Sequence, residues 1–119
     1  MRTLVDANVL LRYMLRDDEA MFQNAEQTIH DGAYLLPEVL AEVVYVLYGV
    51  YQVPRGEIAT KLQVLLKETQ AEHPDVLTAA LSIFGTTKID FVDCLLVAYN
   101  SQLHDKVVSF DRKLNRLLR

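Results

Sequence analysis

The chain has a single cysteine, Cys94, which rules out an intramolecular disulfide, and no Cys/His spacing marks a zinc site. Cys94 lies in an apolar run and reads as a small packing hydrophobe. Histidine is scarce as well. His30, His73 and His104 stand in polar surroundings without metal-ligand spacing or an activating neighbour. No charged segment leads into an apolar one at the start of the chain, so no signal peptide is expected. The most apolar stretch, residues 39–51, is interrupted by Glu42 and Gly49 and is too short to span a bilayer. A cytoplasmic location with no membrane partner is the expectation. An excess of basic charge is also missing. The net charge of −4 argues against a passive nucleic-acid coat. It leaves a nuclease open, because an acidic metal pocket contributes negative charge that bound cations reverse. Repeats, low-complexity tracts and linker-like segments are absent.

What is present suits one folded domain covering residues 1–119. Hydrophobic residues make up 51% of the chain and charged residues 24%, enough to build a core without disulfides or a structural metal.

Periodicity orders the elements. Residues 2–5 read as a short buried strand, and Val9, Leu10, Tyr13 and Met14 follow at helical spacing. Asp17, Asp18 and Glu19 close that helix and open another, which ends at Gly32. Residues 33–36 form a second strand candidate, and Pro37 sits at the first turn of a helix reaching about Tyr51. Residues 53–57 read as a turn, and Ile58, Leu62, Leu65 and Leu66 define an amphipathic helix. The pair Val76-Leu77 suggests a very short strand, with residues 78–85 as a helix end. Residues 90–104 form a strongly apolar helix, residues 106–110 the best strand of the second half, and residues 112–119 a closing helix. Strands alternating with helices imply an α/β fold, its parallel sheet linked by right-handed crossovers and covered by helices on both faces.

Four acids fall where such a fold would gather them: Asp6, Glu42, Asp93 and Asp111. Carboxylates at the carboxyl ends of parallel strands, and on the helices beside them, converge on the edge where α/β sheets place ligands. Packed closely, they would raise each other's pKa, and a hard divalent cation on oxygen ligands is the usual remedy. Each also has a structural explanation. Asp6 and Asn8 both follow the first strand, and either would serve as a helix N-cap, but a cap needs only one of them; Asn8 would then orient a carboxylate or a water. Glu42 is flanked by apolar residues that would bury it, unless it shares a solvated stripe with Glu38. Asp90 and Asp93 resemble a capping arrangement that accounts for Asp90 and leaves Asp93 in the first turn. Asp111 caps as readily as it ligates, with Ser109 placed to orient it. The basic residues Arg112, Lys113, Arg116 and Arg119 read first as a solvated helix end, and second as phosphate contacts.

Together the segments Val5-Asp6-Ala7-Asn8-Val9-Leu10, Leu36-Pro37-Glu38-Val39-Leu40-Ala41-Glu42, Asp90-Phe91-Val92-Asp93-Cys94-Leu95-Leu96-Val97-Ala98 and Ser109-Phe110-Asp111 resemble the four ordered motifs of the PIN domain. More narrowly, they resemble the VapC-like toxins of toxin–antitoxin pairs. The resemblance covers nearly the whole chain; Cys94 departs from it, standing where alanine is usual. It implies a small three-layer α/β/α sandwich with a central parallel sheet. It also implies Mg2+- or Mn2+-dependent cleavage of single-stranded RNA, with Asp6, Glu42, Asp93 and Asp111 as the metal-holding catalytic acids and Asn8 and Ser109 supporting them. The partners it implies are a second copy of the chain and a VapB-like antitoxin. Two rivals remain open. A PIN-like scaffold would bind RNA or protein without cutting, though it would be expected to lack one of the acids. A receiver-like phosphotransfer domain would want a lysine at the end of the last strand, whereas Lys106 precedes it.

Overall fold

A computed structural model describes residues 1–119. Seven helices and two short strands follow in the order β1 (Thr3–Leu4), α1 (Ala7–Leu15), α2 (Glu19–His30), β2 (Ala33–Tyr34), α3 (Pro37–Gly49), α4 (Arg55–Glu68), α5 (Pro74–Thr86), α6 (Phe91–Leu103) and α7 (Arg112–Asn115). β1 and β2 pair in parallel, Thr3 opposite Ala33 and Leu4 opposite Tyr34. Gln70, just beyond α4, extends the ladder with a bridge to Tyr34; its N–H donates to the Ala33 carbonyl at 2.9 Å and its carbonyl accepts from Leu35 N–H at 2.7 Å. The architecture is the helix-rich α/β fold with a small parallel sheet that the sequence leads one to expect.

Local chemistry sets the element ends. Asp6 and Asp18 cap α1 and α2, accepting from the N–H groups of Val9 and Met21, each at 3.0 Å. Pro37 and Pro74 stand at the first turns of α3 and α5, where a missing N–H costs nothing. Gly32 adopts φ +104°, which lets the chain reverse from α2 into β2. The core joins Leu10 of α1 and Ile29 of α2 with Leu40, Val43 and Leu47 of α3, Ile58, Leu62 and Leu65 of α4, Leu77 and Leu81 of α5 and Cys94 and Ala98 of α6. Burying each large aliphatic side chain is worth about 1.5–3 kcal/mol. α5 packs along both α4 and α6, and Gly85 lets it lie close against α4. A Cβ there would meet the Ala59 Cβ at 2.9 Å.

Four expected elements are corrected. Val76 and Leu77 are helical, because Pro74 starts α5 ahead of them and both side chains turn into the core. Residues 55–57 already belong to α4, so the expected turn ends at Pro54. Residues 106–110 form no strand. Val108 is 75% exposed and Phe110 99% exposed, because no neighbouring strand lies alongside to accept them, and β propensity without a partner does not make a ladder. The closing helix is shorter than expected, ending at Asn115. No helix is long and apolar enough to cross a membrane.

Candidate functional site

The first turn of α6 and the N-terminal end of α7 face each other across an open cleft of about 420 Å3. Asp90, Asp93 and Asp111 line it together with Lys88, Lys113, Arg116 and the apolar Ile89, Leu114 and Leu117. Three carboxylates and three cations therefore share one hollow. No ion pair forms between them, since the ion pairs of the molecule lie elsewhere, at Arg12–Asp17 and Arg16–Glu19. Burial, reinforced by repulsion from Asp90 and then Asp111, holds the Asp93 carboxyl above its ordinary range.

Asp90 occupies the N-cap position of α6, yet its side chain makes no capping hydrogen bond. The capping role expected of it is therefore not performed, and its carboxylate is free to line the cleft. That makes Asp90 a site residue which sequence reasoning passed over. The same spacing that suggests a cap also fits an acid left free, and only the missing bond separates them.

Asp111 does cap. Its Oδ1 accepts from Lys113 N–H at 2.8 Å and Leu114 N–H at 3.0 Å, leaving Oδ2 uncommitted. Ser109 holds this corner: its Oγ accepts from Asp111 N–H at 3.0 Å, and its carbonyl accepts from Asn115 Nδ2 at 2.9 Å. The basic C-terminal segment is pinned from behind by Asn100, the one buried polar side chain. Asn100 Nδ2 donates to the Asp105 carbonyl at 2.8 Å and to the Arg119 carbonyl at 3.3 Å, and its Oδ1 accepts from Arg119 N–H at 2.9 Å. Lys113 and Arg116 are exposed, as a solvated helix end requires, and also line the cleft.

The other expected acids are placed differently. Asp6 is exposed at the head of α1; Oδ1 is engaged by Val9 and Oδ2 is uncommitted. Asn8 faces a separate groove between α1 and α2, beside Arg12, Met21 and Asn24. Glu42 is exposed, on a solvent stripe of α3 with Glu38 and Tyr45. The burial expected from its flanking sequence is corrected by the 3.6-residue period, which leaves every third or fourth position of an apolar helix open to water. Neither Asp6 nor Glu42 lines the cleft of Asp93 and Asp111.

The donors in the cleft fit a hard cation by chemistry, being carboxylate oxygens under mutual repulsion. No three Asp, Glu, His or Cys side chains stand close enough together to enclose one ion. Mg2+ does not require that enclosure, since it keeps several waters and is commonly held by one or two carboxylates with substrate phosphate supplying the rest. Asp93 and Asp111 are the carboxylates of the cleft that would hold it on those terms.

A second hollow, about 310 Å3, adjoins the first and shares Asp90 and Asp93 with it. Its walls are Ala41, Val44, Tyr45 and Tyr48 of α3, Arg55, Phe84, and Phe91 and Val92 of α6. Arg55 spans this corner. Its Nε donates to the Phe84 carbonyl at 2.8 Å and its Nη2 to the Ile89 carbonyl, and its guanidinium lies 3.7 Å from the Phe84 ring centroid. Arg55 thereby ties the end of α5 to the residue just before Asp90.

Comparison with known proteins adds one match. A family model described as PIN domain matches residues 3–118, almost the whole length. No curated protein and no solved structure matches the chain.

Proposed function

Because the chain belongs to the PIN-domain family, whose members are generally nucleases, we propose that it is a Mg2+- or Mn2+-dependent endoribonuclease acting on single-stranded RNA. The observation that supports this reading best is the cleft that Asp90, Asp93 and Asp111 share with the unpaired Lys88, Lys113 and Arg116. Cations that form no ion pair with the carboxylates of the same hollow are free for phosphate, so a phosphodiester entering the cleft would meet both metal-holding oxygens and phosphate-binding cations.

In this reading Asp93 and Asp111 would hold the divalent ion, while Asp6 and Glu42, which the family resemblance also counts among the acids, would act from outside this cleft. When bound, the ion neutralises phosphate charge and makes a water acidic enough to attack. Ser109 keeps Asp111 oriented through the backbone, leaving Oδ2 for ligation. Lys88, Lys113 and Arg116 hold the backbone on either side of the scissile bond. Asn8 supports the Asp6 end. The biological role proposed is that of a VapC-like toxin working as a homodimer and neutralised by a VapB-like antitoxin.

A second reading is favoured by one feature: no three ligands converge, which suits a PIN-like scaffold that binds RNA or protein without cutting. One assay separates them. Labelled single-stranded RNA incubated with the protein and Mg2+ or Mn2+ is expected to yield internal cleavage products. EDTA, and the variant combining Asp6→Ala, Glu42→Ala, Asp93→Ala and Asp111→Ala, should remove them. RNA that is bound but left intact in both metals would establish the scaffold instead.

A further inference from the structure

The two hollows on either side of Asp90 and Asp93 differ in kind. One is edged by Lys88, Lys113 and Arg116. The other is largely apolar and aromatic, lined by Ala41, Val44, Phe91 and Val92 and by Tyr45 and Tyr48. A nucleotide has the same two halves, an anionic phosphate and a flat base. Tyr45 is 75% exposed and makes no hydrogen bond, so its ring is held out beside the groove with nothing covering it. Tyr48 packs edge-on against Phe84, with ring centroids 5.8 Å apart, and is also exposed. Arg55 is the only cation in this hollow. Its Nε and Nη2 are spent on main-chain carbonyls, while Nη1 has no partner in the protein and is not sealed from solvent.

We propose that this aromatic groove is a nucleobase subsite. A base of single-stranded RNA, belonging to the nucleotide next to the phosphodiester at Asp90 and Asp93, stacks on Tyr45, with Tyr48 edging the groove, and accepts a hydrogen bond from Arg55 Nη1 at its carbonyl. This assignment rests on the nuclease reading and deepens it, by giving the enzyme a reason to prefer unpaired RNA. A base inside a duplex keeps its faces stacked and cannot enter. Aromatic stacking accepts any base, because every base has a π face, whereas a carbonyl acceptor opposite Arg55 favours uracil, cytosine or guanine over adenine. The charge pattern supports a nucleotide over an apolar peptide: the groove opens directly onto the cation-rimmed cleft, so one occupant fills both.

The chain contains no tryptophan, so Tyr45→Trp introduces a single indole reporter. The protein carrying it is titrated with a labelled mixed-sequence single-stranded RNA, with Ca2+ as the cation so that binding is read ahead of cleavage. A ribose–phosphate oligomer of equal length without bases serves as the comparison. RNA is expected to quench the indole, and the abasic oligomer to bind, by anisotropy of its label, without quenching. Tyr45→Ala should weaken RNA affinity by about 5- to 100-fold, the range that loss of one base–aromatic stack produces, and leave the abasic affinity unchanged. Because Tyr45 is exposed, neither variant is expected to disturb folding. RNA bound without quenching, equal quenching by both oligomers, or an affinity for Tyr45→Ala within twofold of the parent would overturn the subsite. So would an indole signal that shifts with protein concentration alone, which would mean that a second copy covers the groove. If the unsubstituted protein cleaves RNA while any of these holds, the nuclease reading survives and only the subsite falls. If it neither binds nor cleaves RNA, both fall.

Discussion

Removing the Arg55 side chain tests whether one guanidinium organises the corner that presents Asp90 and Asp93. The side chain bonds to two main-chain carbonyls, Phe84 at the end of α5 and Ile89 just before α6, and stacks on the rings of Phe84 and Tyr48 at 3.7 and 5.3 Å. A hydrogen bond to a charged donor contributes about 1.5–3 kcal/mol, and a partly exposed cation–π contact about 0.5–1 kcal/mol. Simple addition overshoots, because Arg55 is half-buried and water can reach the freed carbonyls. A loss of about 2–4 kcal/mol is the expectation for Arg55→Ala, a large share of the roughly 5–15 kcal/mol that stabilises a domain. With a urea dependence of about 2 kcal/mol per molar, the unfolding midpoint should fall by about 1–2 M, read by far-UV circular dichroism. Arg55→Lys should recover less than half of the loss, because an ammonium lacks the planar fork that reaches both carbonyls. RNA cleavage should fall in both variants, since Asp93 follows Ile89 by four residues. A midpoint for Arg55→Ala within about 0.3 M of the parent, or full recovery by lysine, would refute the reasoning.

Three further outcomes are expected. Asp6→Asn should retain the fold, because asparagine caps α1 as well as aspartate does, while RNA cleavage is lost; Asp6→Ala should in addition cost about 0.5–2 kcal/mol in urea unfolding. Asn100→Ala should cost about 1–3 kcal/mol by leaving the Asp105 and Arg119 backbone groups without partners. It should also speed amide exchange across residues 112–119 and flatten the salt dependence of RNA binding, since Lys113 and Arg116 lose their anchor. The Arg12 hydrogen bond holds the Asp17 carboxyl below its ordinary value, so the pair stabilises the fold above the unfolded-state pKa and that contribution is lost as pH falls through the lower folded value. Thermal melts from neutral to acid pH should therefore show a steeper acid loss for the parent than for Asp17→Asn, and parallel curves would contradict the assignment.

Much of the fold was legible because its signals are local. The caps at Asp6 and Asp18, the prolines at the starts of α3 and α5, Gly32 at a positive φ and the spacing of Ile58, Leu62 and Leu65 act within a few residues. Val76 and Leu77 suggest a strand in sequence even though Pro74 carries the same signal as Pro37, because an isolated apolar pair has no period of its own. Residues 106–110 failed for a different reason: Val107, Val108 and Phe110 have the right propensity, but a strand exists only where another offers its edge. The burial expected of Glu42 came from its neighbours in sequence, whereas exposure on a helix depends on angle about its axis.

Taken alone, the amino-acid order determined which residues start and stop helices, that the sheet is parallel and small, and that acids recur at element ends. The helix ends are decided by torsion preferences and hydrogen bonds within a turn or two of chain, and the parallel sheet is implied by strands that alternate with helices. Which acids share a hollow was decided only in three dimensions. Asp90 and Asp93 meet Asp111 because Arg55 and Asn100 fasten distant backbone to the two ends of α6, and Tyr45 borders the same place because α3 packs beside α6. Proximity between groups far apart in sequence depends on how the whole core closes, and no local spacing carries that information.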